Sequence, residues 1–303
     1  MTFKQKKYLD NLPLADAVRN YHDALKAAGI GGPLAGERIP VGDALGRVTS
    51  EAVIAKISSP FYHSAAMDGF AVRFVDTFGA AETRPKRLKT PSQAVAIDTG
   101  DPMPDEFNAV IMIEDVEKIS EAEIELLKPA TPWQHVRLVG EDIVATELII
   151  PENHVVRPAD MAAMIASGHT DVSVRRRPVI SIIPTGTELI DPGSELKKGD
   201  IIDFNSTMLA AMASECGAHA VRRSIVKDDA ALLKKAILDA LADADIVVIN
   251  AGSSAGREDF TSNVLAGLGE VVVHGVAIKP GKPVILGIVQ GKPVIGIPGY
   301  PVS

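Results

Sequence analysis

The chain has 303 residues, and hydrophobic side chains make up 46% of them, which excludes a disordered protein and allows two or three domains. Aromatic residues are only 4%, and the bias toward Ala, Val and Ile suits the buried strands of α/β layers. Lys+Arg 31 against Asp+Glu 39 leave a formal net charge of −8, the wrong sign for a sequence-independent nucleic-acid binder. An anion must therefore be held locally, by placed lysines, backbone amides or a metal.

The opening Met1-Thr-Phe-Lys-Gln-Lys-Lys has no apolar stretch behind it, unlike a signal peptide. No later run approaches the roughly 18 apolar residues of a membrane span, so the expected location is cytoplasmic. Pro13 followed by Leu14, Val18, Tyr21 and Leu25 predicts an amphipathic helix starting near a proline. From Ser58 short apolar stretches alternate with turn-rich segments. Ala109-Val-Ile-Met-Ile113, Ile124-Glu-Leu-Leu127 and the stretch 133–139 make about 64–140 a mostly β insert. Pro158 to Ser167 reads as a short helix stopped by Gly168.

Beyond Arg177, strands and helices alternate. Pro178-Val-Ile-Ser-Ile-Ile183 predicts a strand and 207–216 a helix closed by Gly217. That helix ends on Cys216, a single cysteine that excludes an intramolecular disulfide and a cysteine-based zinc site. The seven histidines show no ligand spacing either. A strand over 219–226 leads into Asp228-Asp229, a good N-cap pair for a helix over 230–241. Asp245-Ile-Val-Val-Ile-Asn250 is a third strand, followed by a small-residue loop and a helix over 261–268. Short strands follow at 270–274, 283–288 and 293–297. The alternation predicts a parallel sheet with helices on both faces, whose ligands bind beyond the carboxyl ends of the strands.

Ala251-Gly-Ser-Ser-Ala-Gly256 could let backbone N–H groups approach a phosphate, or be a tight turn, and Arg257-Glu-Asp259 beside it favours the first. Ile278-Lys-Pro-Gly-Lys-Pro283 holds two lysines on a stiff turn, though spacing alone reads as a solvated pair. Pro298-Gly-Tyr-Pro301 and Thr99-Gly-Asp-Pro-Met-Pro104 read as turns. Asp68, in Ser64-Ala-Ala-Met-Asp-Gly-Phe70, sits among small and apolar residues, and an Asp-Gly turn accounts for it as well as a functional carboxylate does. Gly140-Glu-Asp142 could punctuate a boundary, and Glu188 could start a helix.

Taken in order, the set is more specific than its members. Pro60-Phe61, Ser64-Ala-Ala-Met-Asp-Gly-Phe-Ala71, Thr99-Gly-Asp-Pro-Met-Pro104, Gly140-Glu-Asp-Ile143, Pro184-Thr-Gly-Thr-Glu-Leu189, Lys227-Asp-Asp229, Asp259-Phe-Thr261, Lys279-Pro-Gly-Lys-Pro283 and Pro298-Gly-Tyr-Pro-Val-Ser303 resemble the successive signatures of the molybdopterin molybdenumtransferases, or molybdenum insertases. That family includes the C-terminal domain of gephyrin. The resemblance runs from about residue 12 to the last residue.

It implies an α/β multidomain subunit. A linking region with the N-terminal helix would take residues 1–57 and 141–176, a β-rich inserted domain 58–140, and a molybdopterin-binding α/β/α domain 177–303. The family's C-terminal β domain would lie beyond Ser303, so the chain is expected to be truncated. The resemblance also implies a homodimer with its active site shared between subunits. Its substrates would be adenylylated molybdopterin and molybdate, with Mg²⁺ required and AMP released, and neither nucleic acid nor membrane involved. Carried over by motif, the catalytic set is Asp68, Thr99, Asp142, Glu188, Asp228 and Asp259, with Asp228 and Asp259 as metal ligands. Thr185, Gly186, Gly252, Ser253, Ser254, Lys279, Lys282, Pro298 and Pro301 would bind substrate.

Three positions depart from the family pattern. The loop after Asn250 reads Ala251-Gly-Ser-Ser-Ala-Gly256 where two glycines and a valine are usual. Tyr300 stands for the usual Asn, and Gly275 occupies a position where relatives often carry a lysine. These changes resemble a subgroup whose insertase is fused to a binding-protein-like region. The alternative reading is a non-catalytic molybdopterin-binding or sensing protein on the same fold.

Overall fold

The structure is a computed structural model that describes residues 11–251, 258–279 and 281–299. It divides into two compact units, Gly36–Val174 and Met1–Ala35 with Arg175–Ser303.

Helix α1 (Leu14–Ala27) follows Pro13 as the sequence predicts. Its buried positions are Ala17 and Tyr21, whereas Leu14 and Val18 of the expected apolar stripe are about half exposed. Its contacts also differ from the sequence grouping with a linking region. Tyr21 Oη donates to Gly287 O at 3.1 Å, and Leu12 bridges Val276, so the helix packs within the unit that carries residues 175–303. Burial there pushes the Tyr21 hydroxyl up to about 12.

The unit Gly36–Val174 contains separate cores. One gathers Val41, Val53, Ile150, Met164 and Val174 around the paired strands Gly36–Pro40 and Asp171–Arg175 and helix α2 (Pro158–Ala166). Asp160 Oδ2 accepts from Arg157 N at 2.8 Å at the start of α2, and Gly168 at φ +90° ends it. The β-rich part is built from β1 (Gly69–Val72), β2 (Lys86–Lys89), β3 (Ala94–Ile97), β4 (Ala109–Met112), β5 (Val116–Ser120) and β6 (Glu123–Leu126). They form two antiparallel sheets ordered β3-β1-β4 and β2-β6-β5 over a core of Phe70, Val72, Leu88, Ile111, Ile124 and Leu126. Of the stretch 133–139, only Val136–Arg137 is a strand. Trp133 and His135 hold φ of 60° and 54°, which a strand cannot contain.

The other unit alternates β7 (Val179–Pro184), α3 (Asn205–Glu215), β8 (His219–Arg222), α4 (Ala230–Asp243), β9 (Ile246–Ala251) and α5 (Glu258–Ala266), then runs β10 (Glu270–His274), β11 (Ile285–Val289) and β12 (Lys292–Pro298). The sheet order is β8-β7-β9-β12-β11-β10. The first four strands are parallel, but β11 and β10 are antiparallel to their neighbours, so the sheet is mixed where a parallel one was expected. The reason is local. Val289 pairs with Lys292 across Gln290 and Gly291, both at positive φ, and a two-residue hairpin can only reverse the chain. Ile285 joins the core with Leu233, Ile237 and Leu265 of α4 and α5, while its neighbour Leu286 lies with Ala17 of α1. Successive strand residues point to opposite faces, so helices cover both sides. No helix among the described residues is long and apolar enough to cross a membrane.

Candidate active site

Strand register decides what meets at one end of the six-stranded sheet. Pro184 lies opposite Asn250, Asn250 opposite Ile297, Gly296 opposite Ile285, and Ile285 opposite His274. The loops after β7, β9 and β12 and the turn between β10 and β11 therefore leave the same end. It is the carboxyl end of the parallel strands, where α/β sheets hold ligands. Thr185 also bridges Val226, which brings the loop before α4 to that end. Thr185, Gly186, Glu188, Asp228, Lys279, Lys282 and Pro298 thus share one edge of the fold.

Within it, Thr185 is buried and donates to Asn250 O from N at 2.8 Å and from Oγ1 at 3.1 Å. Gly186 N donates to Val226 O at 3.0 Å. A Cβ on Gly186 would stand 3.0 Å from Leu189 Cγ and 3.2 Å from the Glu188 carboxylate, so the residue's smallness lets Glu188 fold back over it. Glu188 starts no helix. Leu189–Ile190 is a short strand parallel to Ile201–Ile202.

The acidic pair before α4 divides its labour. Asp229 is the N-cap, accepting from Ala231 N and Leu232 N, both at 2.9 Å. Asp228 is left exposed at the sheet end, where Oδ2 accepts from Thr187 N and Thr187 Oγ1 at 3.4 Å. Lys279 and Lys282 are exposed on the β10–β11 turn, which the Val276 N to Lys282 O bond at 2.9 Å closes. Gly252, Ser253, Ser254, Tyr300 and Pro301 lie outside the described residues, and Asp259 is described only as a residue of α5.

Two further residues at this edge were not among the sequence candidates. Asn205 opens α3 and Asn250 nears the end of β9, and they are 4% and 3% exposed. Asn205 Nδ2 donates to Asn250 Oδ1 at 3.3 Å and to Gly299 O. The signal for Asn250 was a polar residue closing an apolar strand. Asn205 fell two positions before the helix start expected at Thr207 and read as loop.

In the unit Gly36–Val174, Asp68 and Thr99 meet. Asp68 Oδ1 accepts from Thr99 N at 2.7 Å and from Thr99 Oγ1 at 2.8 Å. Those bonds hold the Asp68 carboxyl below its ordinary range, the backbone donor contributing most. Gly69 makes no hairpin turn. It begins β1, and a Cβ there would lie 1.9 Å from Ile111 O, so glycine is required by the close approach of β4. Asp142 is exposed, and its N donates to Ser59 O at 3.0 Å, placing its turn against the 59–60 segment.

Residues 12–168 match the family described as "MoeA N-terminal region (domain I and II)", and 181–303 match the "Probable molybdopterin binding domain". The chain is 33% identical over 287 residues to molybdopterin molybdenumtransferase 2 of Mycobacterium tuberculosis, covering 88% of this chain and 70% of that protein. It is 31% identical over 281 residues to the molybdopterin molybdenumtransferase of Haemophilus influenzae, covering 89% and 70%. A solved molybdopterin biosynthesis MoeA protein from Pyrococcus horikoshii superposes with a TM-score of 0.83 at 36% identity, over 97% of this chain and 76% of that one. Both stretches of the chain, and relatives over most of its length, agree that it belongs to the molybdopterin molybdenumtransferase (MoeA) family.

Proposed function

We propose that this protein acts in molybdenum cofactor biosynthesis, binding adenylylated molybdopterin and inserting molybdate with release of AMP. The observation that carries the reading is the convergence at one sheet end of an acidic group, Asp228 and Glu188, with a lysine turn, Lys279 and Lys282. Carboxylates repel a pyrophosphate unless a cation lies between them, whereas lysines accept it directly.

Asp228 fits a magnesium ligand by chemistry, as an exposed hard oxygen donor at the sheet end. Among the described residues no three His, Cys, Asp or Glu side chains gather as a metal cage. Magnesium is commonly held by one or two carboxylates plus substrate phosphates, so Asp228 would supply one carboxylate, and Asp259, whose role the motif implies, would supply the other. When bound, the cation would neutralise phosphate charge as the anhydride breaks. Lys279 and Lys282 would hold molybdate or the phosphates. Asp228, fixed by Thr187, would keep its carboxylate directed at the cation. Asp68, ionised at neutral pH as an ordinary carboxylate is and held in place by two hydrogen bonds from Thr99, would orient water or substrate by accepting a hydrogen bond. Asp68, Thr99 and Asp142 of one subunit would serve the sheet end of the partner in a homodimer.

The second reading is a molybdopterin-binding or sensing protein without turnover. It draws on Gly275, buried at φ +95°, where a lysine side chain is both absent and conformationally disfavoured. Protein incubated with adenylylated molybdopterin, Mg²⁺ and molybdate should release AMP in proportion to molybdate-loaded cofactor. Molybdopterin binding with no AMP release would leave the binding reading in place and overturn the enzymatic one.

A further inference from the structure

We propose that the Asn205 side-chain oxygen is a specificity-determining acceptor for the exocyclic amino group of the pterin, an inference that rests on the molybdopterin reading of the same sheet end. Asn205 is 4% exposed, and its amide orientation is fixed by its surroundings. Nδ2 faces two oxygens, Gly299 O and Asn250 Oδ1, and a flipped amide would set oxygen against both. Oδ1 is therefore the atom of the amide left over, buried and without a hydrogen-bond partner.

The helix start that carries it is clamped. Asp203, itself buried, accepts from Ser206 N at 3.1 Å and from Ser206 Oγ, and Arg222 Nε donates to Ser206 Oγ at 3.0 Å. The carboxamide cannot swing to water without breaking these bonds or its own two. An acceptor withdrawn from water and left unpaired destabilises the fold unless a ligand supplies a donor.

The position says which part of the ligand that is. Asn250 is paired with Pro184 and Ile297, so the Asn205 amide stands over the carboxyl ends of the central strands. Ionised phosphate and molybdate oxygens offer acceptors and would be repelled by a carbonyl oxygen. Asn205 therefore meets a neutral, donor-bearing part of the substrate. Because Oδ1 is recessed, the donor must protrude from its ring. On the pterin the group that does so is the exocyclic amino group.

The test is competitive binding to the intact protein with three probes: pterin, pteridine-2,4-dione, in which an oxygen replaces the amino group, and AMP. Wild-type protein should prefer pterin over the dione by about tenfold or more, as sites built on a buried hydrogen bond do. Asn205→Ala should bind the two rings within about threefold of each other and bind AMP as wild type does. Asn205→Asp keeps an acceptor oxygen in place and should retain the preference even if its melting temperature falls. Equal weakening of both rings in Asn205→Ala, or loss of preference in Asn205→Asp, overturns the assignment. So does a wild-type protein that binds both rings without preferring pterin. Loss of AMP binding alone moves the contact to adenine and overturns it too. Wild-type protein that binds no pterin at all overturns the molybdopterin reading of the site along with it.

Discussion

Thr99 donates to one oxygen of Asp68 twice, from N at 2.7 Å and from Oγ1 at 2.8 Å, and no turn geometry requires either bond. Thr99→Val removes the hydroxyl donor and keeps the volume and the backbone donor. The Asp68 carboxyl, held low in the native protein, should then titrate at higher pH, nearer the ordinary carboxylate value of about 4. The sign follows from which form is bound. The hydrogen bonds favour the carboxylate, so they persist above the lowered pKa and are lost as pH falls through it. Carbon-detected NMR should show the Asp68 titration move up in Thr99→Val and return in Thr99→Ser. The acid limb of AMP release should move in the same direction. An unmoved titration would mean that the hydroxyl bond is not formed in solution.

Gly69 adjoins Asp68 and has a structural duty of its own. A Cβ at that position would stand 1.9 Å from Ile111 O and 2.9 Å from Ile111 C, both backbone atoms. Gly69→Ala must push β4 away from β1 and disturb the strand pairing on which the Asp68 segment rests. A loss of about 3 kcal/mol in denaturant unfolding is expected, at the upper end of overpacking effects. A change below about 0.5 kcal/mol would show that the two strands lie farther apart than the structure places them.

Arg176 holds Asp245 through two parallel bonds, both 2.7 Å, and Val179 N donates to the same carboxylate at 2.8 Å. The Arg176 guanidinium, more than the backbone bond, keeps the Asp245 carboxyl below its ordinary range. Arg176→Ala should destabilise the protein by about 1 kcal/mol at neutral pH, a partly exposed pair being discounted for solvent screening. A lowered carboxylate pKa gives stability that is present above the unfolded value, near 4, and lost as pH falls through the folded one. The deficit of the variant should therefore shrink below about pH 4. A deficit constant from pH 7 to pH 3 would assign it to packing of the arginine stem.

Much of this architecture could be read in the residues because local signals and tertiary packing agree. Asp229 before an apolar-periodic run gave the N-cap of α4, and Gly168 and Gly217 gave the ends of α2 and α3. The antiparallel edge of the sheet was missed because strand direction depends on what joins two strands, and Gln290-Gly291 looks like any polar turn until both φ values are seen to be positive. Leu14 and Val18 belong to the expected apolar stripe, but a helix buries the face its neighbours touch, and α1 meets the sheet through Ala17 and Tyr21. In the candidate site, motif order supplied the acidic and lysine positions. The N-cap signal alone took Asp228 and Asp229 as a pair, and the fold gives the cap to Asp229. Asn205 was invisible because an asparagine becomes informative only when its partners, Asn250 and Gly299, arrive from 45 and 94 residues away.

The last expectation concerns the assembly proposed for the site. If Asp68 of one subunit serves the sheet end of its partner, then damage at Asp68 in one chain and damage at Asp259 in the other fall on the same site of a mixed dimer. Asp68→Asn and Asp259→Ala proteins should each be inactive in AMP release, while circular dichroism shows them folded. When they are mixed and allowed to exchange, random pairing makes half of the dimers heterodimers. Each heterodimer has one doubly damaged site and one intact site, by the reciprocity of a twofold-symmetric pair. Activity should recover to roughly a quarter of wild type, half of the dimers times half of their sites. If both residues acted within one chain, every site in every dimer would carry one lesion and nothing would return. Exchange must be verified independently, by native mass spectrometry of one isotope-labelled protein. Confirmed exchange with no recovered activity would sink the shared-site proposal, and a monomeric mass for wild-type protein at tens of micromolar would sink it sooner.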